Sequence, residues 1–268
     1  CQVDLYEQAP ALLLGVSGLC EGKIHLGFVY ANDPTGLTLP LMLRGALVFR
    51  PLLERWLGGR AAWDQWLSAP FYYAVPRDSA LAPEAIAAHF AQVKHLGAAM
   101  GWQTRYVAPV REGYRRLSLS EQQALFDPET VVAAYLTEER AVDPAALARQ
   151  LRLCAAAQPR LRLRLQTRVE AVTEARGRLR VQVAGASEAY DHVVNALWAD
   201  RLRVDATCLP QAARSAYYRH KTGFFVTLAD FEHSQADYVA LTLVHGAFGD
   251  SVRWGQRYYF SWYPAGMR

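Results

Sequence analysis

The 268-residue sequence predicts a mixed α/β fold in which two regions interleave. Strand-like and helix-like segments alternate in the first part of the chain, whereas short strands follow one another as antiparallel pairs in the last part. The composition, 52% hydrophobic and 20% charged residues, excludes a disordered chain, a collagen and a coiled coil. The length fits one large domain or two smaller ones.

The first part begins with a strand at residues 3–7, and residues 23–30 are predicted to be extended. Asp33 and Pro34 favour a helix start, because Asp caps well and Pro suits the first turn. A helical run to Gly58 and Gly59 is therefore predicted, with interruptions at Pro40 and near Gly45. It is followed by a strand at residues 70–76, a helix at 82–99 and a strand at 131–138.

In the second part, Asp143 and Pro144 begin a predicted helix that ends near Ala157. Turn-forming residues around Gly177 and Gly185 separate the short strands that come next. The remaining strands are predicted at residues 161–167, 169–173, 179–183, 190–197, 222–228, 238–244 and 257–262.

Charge and cysteine content exclude several kinds of function. Lys+Arg 29 against Asp+Glu 25 gives a net charge of +4, which is too small to indicate a nucleic-acid partner. The four cysteines lack zinc-site spacing, so we predict reduced thiols, no metal site and a cytoplasmic location. Residues 37–57 are the most apolar stretch, but they include Arg44, Arg50, Glu54 and Arg55. These charges predict an amphipathic helix and argue against a membrane span.

Glu7 directly follows the first predicted strand. In dinucleotide-binding α/β folds, an acidic residue at the carboxyl end of such a strand accepts hydrogen bonds from ribose hydroxyls. The glycine-rich turn of those folds is expected about 20 residues earlier, a position ahead of Cys1. Because the first residue is not Met and both ends of the chain are predicted strands, we expect an internal fragment of a longer protein.

Several segments carry a family resemblance. They are residues 3–8 (VDLYEQ), 21–27 (EGKIHLG), 139–147 (ERAVDPAAL), 190–196 (YDHVVNA), 248–250 (FGD) and 261–264 (SWYP). In this order and spacing they resemble the D-amino-acid oxidase superfamily of FAD-dependent oxidoreductases, of the glycine and sarcosine oxidase type, in a bacterial branch. The resemblance implies a Rossmann-like FAD-binding region interleaved with an antiparallel-sheet substrate region.

The resemblance also implies roles for individual residues. Glu7 would bind the adenosine ribose of FAD. The loop from Ser17 to His25, with Gly22 and Lys23, would pass beside the pyrophosphate and the flavin ring. The family layout therefore places five candidate cofactor-binding residues in the first 25 positions.

Three further cofactor-binding residues are implied in the second half of the chain. Val169 would present backbone groups to the adenine, and Asn195 and Ala196 would close a strand that returns towards the cofactor. Leu197 and Trp198 depart from the family, which often has Gly after such an Asn-Ala pair, where the backbone approaches closely.

Lys23 and His25 are the candidate catalytic residues. They lie two apart, so on an extended segment they face the same side. Beside a flavin, Lys23 could stabilise the reduced anionic ring, and His25 could take a proton or anchor FAD covalently. The alternative is a solvated Lys23 and a His25 bonded to backbone.

Tyr72 and Tyr73 could line a substrate pocket. Because neighbours on a strand face opposite ways, at most one of these tyrosines points inward. Packing in the core is the favoured interpretation.

The resemblance implies four sequence regions. Residues 1–45 and 128–200 would form the FAD-binding region, and residues 46–127 and 201–268 the substrate region. The implied function is oxidation of a small amine, amino acid or hydroxy acid by hydride transfer to FAD, with a small-molecule substrate as the partner. Since the 268 residues hold no G-x-G-x-x-G, we expect this chain alone to bind FAD weakly and to be inactive.

Two alternatives stay open at this point. One is a non-catalytic nucleotide-binding or interaction protein with the same fold. The other is a nicotinamide-dependent α/β enzyme, in which Glu7 would serve equally well. A nicotinamide-binding domain would continue with parallel βαβ units after residue 45, whereas this chain enters a helical region, which favours the flavoprotein.

Overall fold

The computed structural model of the protein describes residues 1–209, 222–227, 239–244 and 248–262. Within these ranges the helices are α1 (Thr38–Leu57), α2 (Trp63–Trp66), α3 (Pro83–Ala99), α4 (Trp102–Arg105), α5 (Leu119–Leu125), α6 (Pro144–Ala156) and α7 (Arg201–Asp205). Short 3₁₀ turns lie at Val16–Gly18, Phe28–Tyr30 and Trp198–Asp200.

The strands of the described ranges are β1 (Val3–Tyr6), β2 (Lys23–Ile24), β3 (Phe71–Pro76), β4 (Tyr114–Arg116), β5 (Val131–Thr137), β6 (Arg140–Ala141), β7 (Leu161–Arg164), β8 (Val169–Ala175), β9 (Arg178–Val183), β10 (Ala186–Tyr190), β11 (Thr222–Thr227), β12 (Ala240–Leu243), β13 (Phe248–Trp254) and β14 (Arg257–Trp262). The mixture of helices with parallel and antiparallel strands confirms the predicted α/β class.

The chain divides into two compact units. Unit 1 comprises Cys1–Gly15 and Arg152–Arg219, and unit 2 comprises Val16–Leu151 and His220–Arg268. Compactness alone does not tell which part holds a cofactor and which a substrate. The assignment of the four sequence regions to these tasks therefore stays a prediction.

Unit 1 combines a parallel strand pair with an antiparallel meander. β1 pairs with β7 in parallel, and β8, β9 and β10 form a three-stranded antiparallel sheet in the order β10-β9-β8. The turn between β8 and β9 places Gly177 at φ 75°, a conformation that glycine adopts without steric cost. Val172, Val181 and Val204 form the buried core of this unit.

A network of charged side chains ties β1 to β7. Asp4 has only 2% of its side chain exposed and accepts hydrogen bonds from Arg162 and from the Tyr190 hydroxyl, the latter at 2.6 Å. The hydrogen bond from Arg162 outweighs burial and lowers the pKa of Asp4. The basic residues of β7 are therefore partly paired with acids.

Unit 2 is organised around a seven-stranded mixed sheet of order β11-β14-β13-β12-β3-β5-β4. Only the β12–β3 pair among these is parallel. A second, two-stranded sheet pairs β2 with β6. Buried aromatic rings fill the space beside β3 and β5: Phe90 contacts Phe28, Tyr73 and Tyr135, and Phe28 also contacts Tyr73.

The helices α5 and α6 begin where local chemistry favours a helix start. Asp143 accepts hydrogen bonds from the backbone N–H groups of Ala145 and Ala146, which caps α6. Ser118 and Glu121 form a capping box at the start of α5. α1 begins at Thr38, later than predicted, because Asp33 accepts from the N–H groups of Thr35 and Thr38 and holds the intervening residues in a turn.

Three predicted segments are wrong in part. Residues 23–30 were expected to be extended, but the strand ends at Ile24 and the chain turns at Gly27, where φ is 112°. The strand predicted at 190–197 lies at Ala186–Tyr190 instead. The predicted interruptions at Pro40 and Gly45 are also wrong, because α1 is continuous from Thr38 to Leu57. In addition, β13 was not predicted at all. Leu228 and Tyr238, at the ends of two predicted strands, lie outside the described residues, as does Pro264 of the SWYP segment.

No helix in the described ranges has both the length and the apolar character needed to cross a membrane.

Candidate active site

Strand β2 places Lys23 beside β6 in unit 2. Lys23 pairs with Ala141 and Ile24 with Arg140, and Gly22 accepts a backbone hydrogen bond from Val142 at 2.9 Å. Gly22 has φ 60°, and a Cβ built on it would lie 2.0 Å from the Val142 carbonyl oxygen. Only glycine can make this close approach. Gly22 therefore sets the position at which the chain enters β2 at Lys23.

The centre of the seven-stranded sheet supplies three polar side chains in one row. Register places Tyr73 of β3 opposite Thr242 of β12, and Thr242 opposite Asp250 of β13. Residues paired across strands project on the same face. The Thr242 hydroxyl donates to Asp250 Oδ1 at 2.8 Å, and the backbone N–H of Asp250 is held by Ser261 Oγ at 2.8 Å.

The Lys23 side chain is fully buried against this row. Its Nζ donates to Asp250 Oδ1 at 2.5 Å and also to Thr242 Oγ1. The ammonium lies 4.2 Å from the centre of the Phe71 ring and 5.2 Å from that of Tyr73. The interpretation of Lys23 as a solvated residue is therefore wrong. Its ammonium group is buried and interacts with Asp250, Thr242 and two aromatic rings.

Glu139 is a second buried acid, next to the row. Its Oε2 accepts from the backbone N–H of Leu26 at 2.5 Å, and its Oε1 accepts from the Tyr73 hydroxyl. Burial alone raises the pKa of Glu139, but the neighbouring His25 and Lys23 and the Tyr73 hydroxyl outweigh it and hold that pKa below its ordinary value. Burial and the Glu139 charge in turn raise the pKa of Tyr73, so Tyr73 stays a hydrogen-bond donor.

His25 is the partly open member of the group. Its side chain is 25% exposed, while Nδ1 is buried, has no hydrogen-bond partner among the described residues, and lies 3.6 Å from Glu139 Oε1. The His25 ring also contacts Tyr30 edge-on at 5.5 Å. A histidine held beside a buried carboxylate, with part of its ring open, can take up and release a proton.

Tyr106 completes the support beneath His25. Its hydroxyl donates to the Ile24 carbonyl at 2.7 Å and accepts from the Arg140 N–H at 2.9 Å. Burial raises the pKa of Tyr106, so the phenol remains protonated. The Tyr106 hydroxyl therefore bridges the two strands of the β2–β6 pair.

Ser17, Gly22, Lys23 and His25 all belong to unit 2. The structure brings Lys23 and His25 to one polar cluster, which we name the Lys23–Glu139 cluster: Lys23, His25, Tyr73, Glu139, Thr242 and Asp250. Ser17 lies exposed in the 3₁₀ turn at Val16–Gly18.

Glu7 and Val169 lie in unit 1. Glu7 follows β1, where it is half-buried, and its Oε1 accepts from the Ala9 N–H at 2.8 Å. Oε2 has no hydrogen-bond partner among the described residues. Val169 begins β8, and its carbonyl accepts from Arg203 at 2.9 Å.

Asn195 and Ala196 lie in an irregular segment of unit 1. The Asn195 side chain donates to Asp205 at 2.8 Å and accepts from the Leu197 N–H at 3.1 Å, so it braces the chain against α7. Ala196 is exposed. Trp198 is also exposed and has φ 49°, an uncommon conformation for a bulky residue.

Sequence reasoning missed Glu139, Thr242 and Asp250. Glu139 and Asp250 stood in segments quoted for the family resemblance, yet neither was singled out as a site residue. For Glu139 the available signal was an acid directly after the predicted strand at 131–138, whereas no predicted strand adjoined Asp250. Their convergence depends on pairing between strands far apart in sequence, which a local pattern does not reveal.

The described residues contain no group of three or more His, Cys, Asp or Glu side chains placed to hold a metal ion.

Comparison with known proteins gives one family and one fold. The sequence profile of the family described as DAO, FAD dependent oxidoreductase, matches residues 1–251. No curated protein sequence matches the chain.

Solved structures with this fold include three oxidases. Glycine oxidase from Geobacillus kaustophilus has 17% identity and a TM-score of 0.61, covering 96% of this chain and 63% of its own. L-alpha-glycerophosphate oxidase from Mycoplasma pneumoniae, a structure with FAD bound, has 18% identity and a TM-score of 0.61, covering 97% and 64%. Iminodiacetate oxidase from Chelativorans sp. BNC1 has 18% identity and a TM-score of 0.63, covering 99% and 66%. The chain thus spans less than two thirds of the length of these structures.

Proposed function

The chain belongs to the DAO family of FAD dependent oxidoreductases, and from this premise we propose that the protein containing it oxidises a small amine, amino acid or hydroxy acid by hydride transfer to FAD. The observation that carries the proposal is the Lys23–Glu139 cluster, in which buried charges surround one partly open histidine. Strongly perturbed, buried ionisable groups gather at catalytic sites more often than elsewhere.

The residues present fit FAD at one identifiable point. Glu7 Oε2 has no hydrogen-bond partner within the described residues, and the acid stands at the carboxyl end of a parallel strand. A carboxylate in this position suits the two hydroxyls of a ribose. FAD, when bound, supplies the two-electron acceptor for the oxidation.

We assign to His25 the role of accepting the proton that the substrate loses. Oxidation of a carbon that bears an amine or a hydroxyl removes a hydride from the carbon and a proton from the nitrogen or oxygen. The imidazole of His25 would take that proton, and the Glu139 carboxylate 3.6 Å from its Nδ1 would stabilise the resulting cation. The substrate would then leave as an imine or a carbonyl compound.

Lys23 would act without touching the substrate, because its side chain is fully buried. Its ammonium neutralises Asp250 and lowers the cost of keeping Glu139 ionised nearby. The cluster would therefore hold a fixed arrangement of charges beside the reacting groups, as preorganised active sites do.

The proposal is tested with the intact protein that contains this chain. Its absorbance spectrum is recorded, and the protein is then titrated without oxygen against amines, amino acids and hydroxy acids. We expect flavin absorbance that bleaches with at least one compound of these classes. A protein that binds FAD but is bleached by none of them would overturn the substrate proposal. A protein that takes up no FAD would overturn the proposed oxidation and favour the non-catalytic alternative.

A further inference from the structure

Helix α1 is apolar on two opposite sides. One side is buried in unit 2 through residues such as Leu43, Leu47 and Leu57, which have no exposed surface. On the other side lies a set of large apolar residues that we name the outer stripe: Leu37, Leu41, Val48, Leu52 and Trp56. These five side chains are between 41% and 71% exposed.

The outer stripe follows one side of α1, with Leu37 one residue ahead of the start of the helix. Its members are spaced four or seven residues apart, and at 3.6 residues per turn this spacing keeps them on one side of the helix. α1 is 20 residues long, so the stripe extends along about 30 Å. A contiguous apolar surface of this kind marks an interaction site rather than ordinary exposure.

Two exposed arginines lie along one side of the outer stripe, while Asp33 lies at the N-terminal end of α1, where it accepts from the Thr38 N–H. Arg44 and Arg55 are exposed and lie eleven residues apart, just over three turns, so both flank the stripe on the same side. The only acid of α1, Glu54, is engaged by Arg50 at 2.7 Å and by the Trp63 indole at 3.0 Å. Glu54 is 42% exposed, but its charge is paired with Arg50. The outer stripe is therefore an apolar surface flanked by two exposed arginines.

We propose that the outer stripe of α1 lies on an anionic lipid bilayer, with the helix parallel to the membrane plane. Leucine and valine side chains would enter the boundary of the acyl region, and Trp56 suits the interface because its ring is amphipathic. The arginine stems cover apolar surface while the guanidinium groups reach anionic headgroups. This inference concerns a surface of unit 2 and is independent of the proposed function.

A second copy of the chain fits this surface less well. In an antiparallel pair of α1 helices, each arginine flank would face the same flank of the partner. Like charges would then meet with no acid to pair them, which is destabilising. An anionic surface satisfies both the stripe and the arginines.

The test uses the intact protein and sedimentation with vesicles. One vesicle population is pure phosphatidylcholine and the other contains phosphatidylglycerol. We expect binding to the anionic vesicles only, decreasing with salt. The double variant Arg44→Gln/Arg55→Gln should lower the partition coefficient about ten- to thirty-fold, and Leu41→Ser/Leu52→Ser should abolish binding.

Matched controls come from another surface of unit 2. Leu119 is 69% exposed on α5, and Arg116 is exposed on β4. Leu119→Ser and Arg116→Gln should bind vesicles as the parent does. Unchanged thermal unfolding of all four variants verifies that only the surface has changed.

Several results would overturn the proposal. These are an absence of vesicle binding, equal binding to both vesicle types, or equal effects of the control and stripe variants. Dimers that dissociate in Leu41→Ser/Leu52→Ser would assign the stripe to a second copy. A Leu41→Cys thiol that a water-soluble maleimide does not modify at position 41 would show that another part of the protein covers it.

Discussion

The buried charges of individual residues determine how much the Lys23–Glu139 cluster lowers the stability of the fold when one partner is lost. Lys23, Glu139 and Asp250 are all withdrawn from water, which is expensive unless each charge is paired. Lys23 is paired with Asp250, whereas Glu139 depends on the Tyr73 hydroxyl, the Leu26 N–H and His25. Removing one partner therefore leaves an uncompensated charge behind.

The first prediction concerns Lys23→Met. The variant leaves Asp250 buried without its cation, so we expect the free energy of unfolding to fall by about 3–5 kcal/mol, measured by urea denaturation. The double variant Lys23→Met/Asp250→Asn removes both charges and should recover a large part of the loss. A single variant within 1 kcal/mol of the parent would contradict the pairing.

The second prediction concerns pH and Glu139. Its folded pKa lies below the ordinary value of 4.5, so the unfolded chain binds more protons as the pH falls through that value. The contribution of Glu139 to stability is complete above pH 4.5 and is lost as the pH falls through the folded pKa. We expect the free energy of unfolding to fall less steeply below about pH 5 in Glu139→Gln than in the parent. Parallel pH curves for the two proteins would refute this role.

At the scale of elements, the β2–β6 pair depends on one glycine. Gly22 combines φ 60° with a backbone oxygen 2.0 Å from where a Cβ would stand. A side chain would have to move the backbone of Val142, and with it the start of α6. The position of Lys23 and His25 thus depends on Gly22.

The third prediction is that Gly22→Ala destabilises the protein by about 2 kcal/mol or more, since steric overlap adds to the strained φ. Gly36→Ala is the matched control, because Gly36 has φ 65° and open space around it. The control should cost only about 1 kcal/mol. Equal losses in chemical denaturation of the two variants would show that the close approach to Val142 does not matter.

Local patterns predicted most elements, while pairing between strands remained hidden. The helices α3 and α6 and the strands β1, β3 and β5 start within two residues of their predicted positions, because caps, prolines and apolar runs are local signals. β13 escaped prediction because its sequence contains Gly249, Asp250 and Ser251, which are poor strand formers. Its place is set by neighbours on both sides in the sheet.

For the whole molecule, the family and its cofactor could be predicted from sequence, whereas the arrangement of the site could not. The order of short segments led to the FAD dependent oxidoreductase family, which the match over residues 1–251 confirms. The pairing of Lys23 with Asp250 spans 227 positions and follows from the sheet order alone. The roles of all the predicted site residues stay predictions: Glu7, Ser17, Gly22, Lys23, His25, Val169, Asn195 and Ala196.

The measurement that tests the account most directly is the rate of flavin reduction after rapid anaerobic mixing of the intact protein with its substrate. His25→Asn is compared with the parent and with His95→Asn, which changes an exposed histidine on α3. We predict that His25→Asn keeps its FAD but is reduced about 10²–10⁴-fold more slowly, the usual effect of losing a general base, while His95→Asn matches the parent. Reduction of His25→Asn at the parent rate would contradict the assignment of the proton to the Lys23–Glu139 cluster.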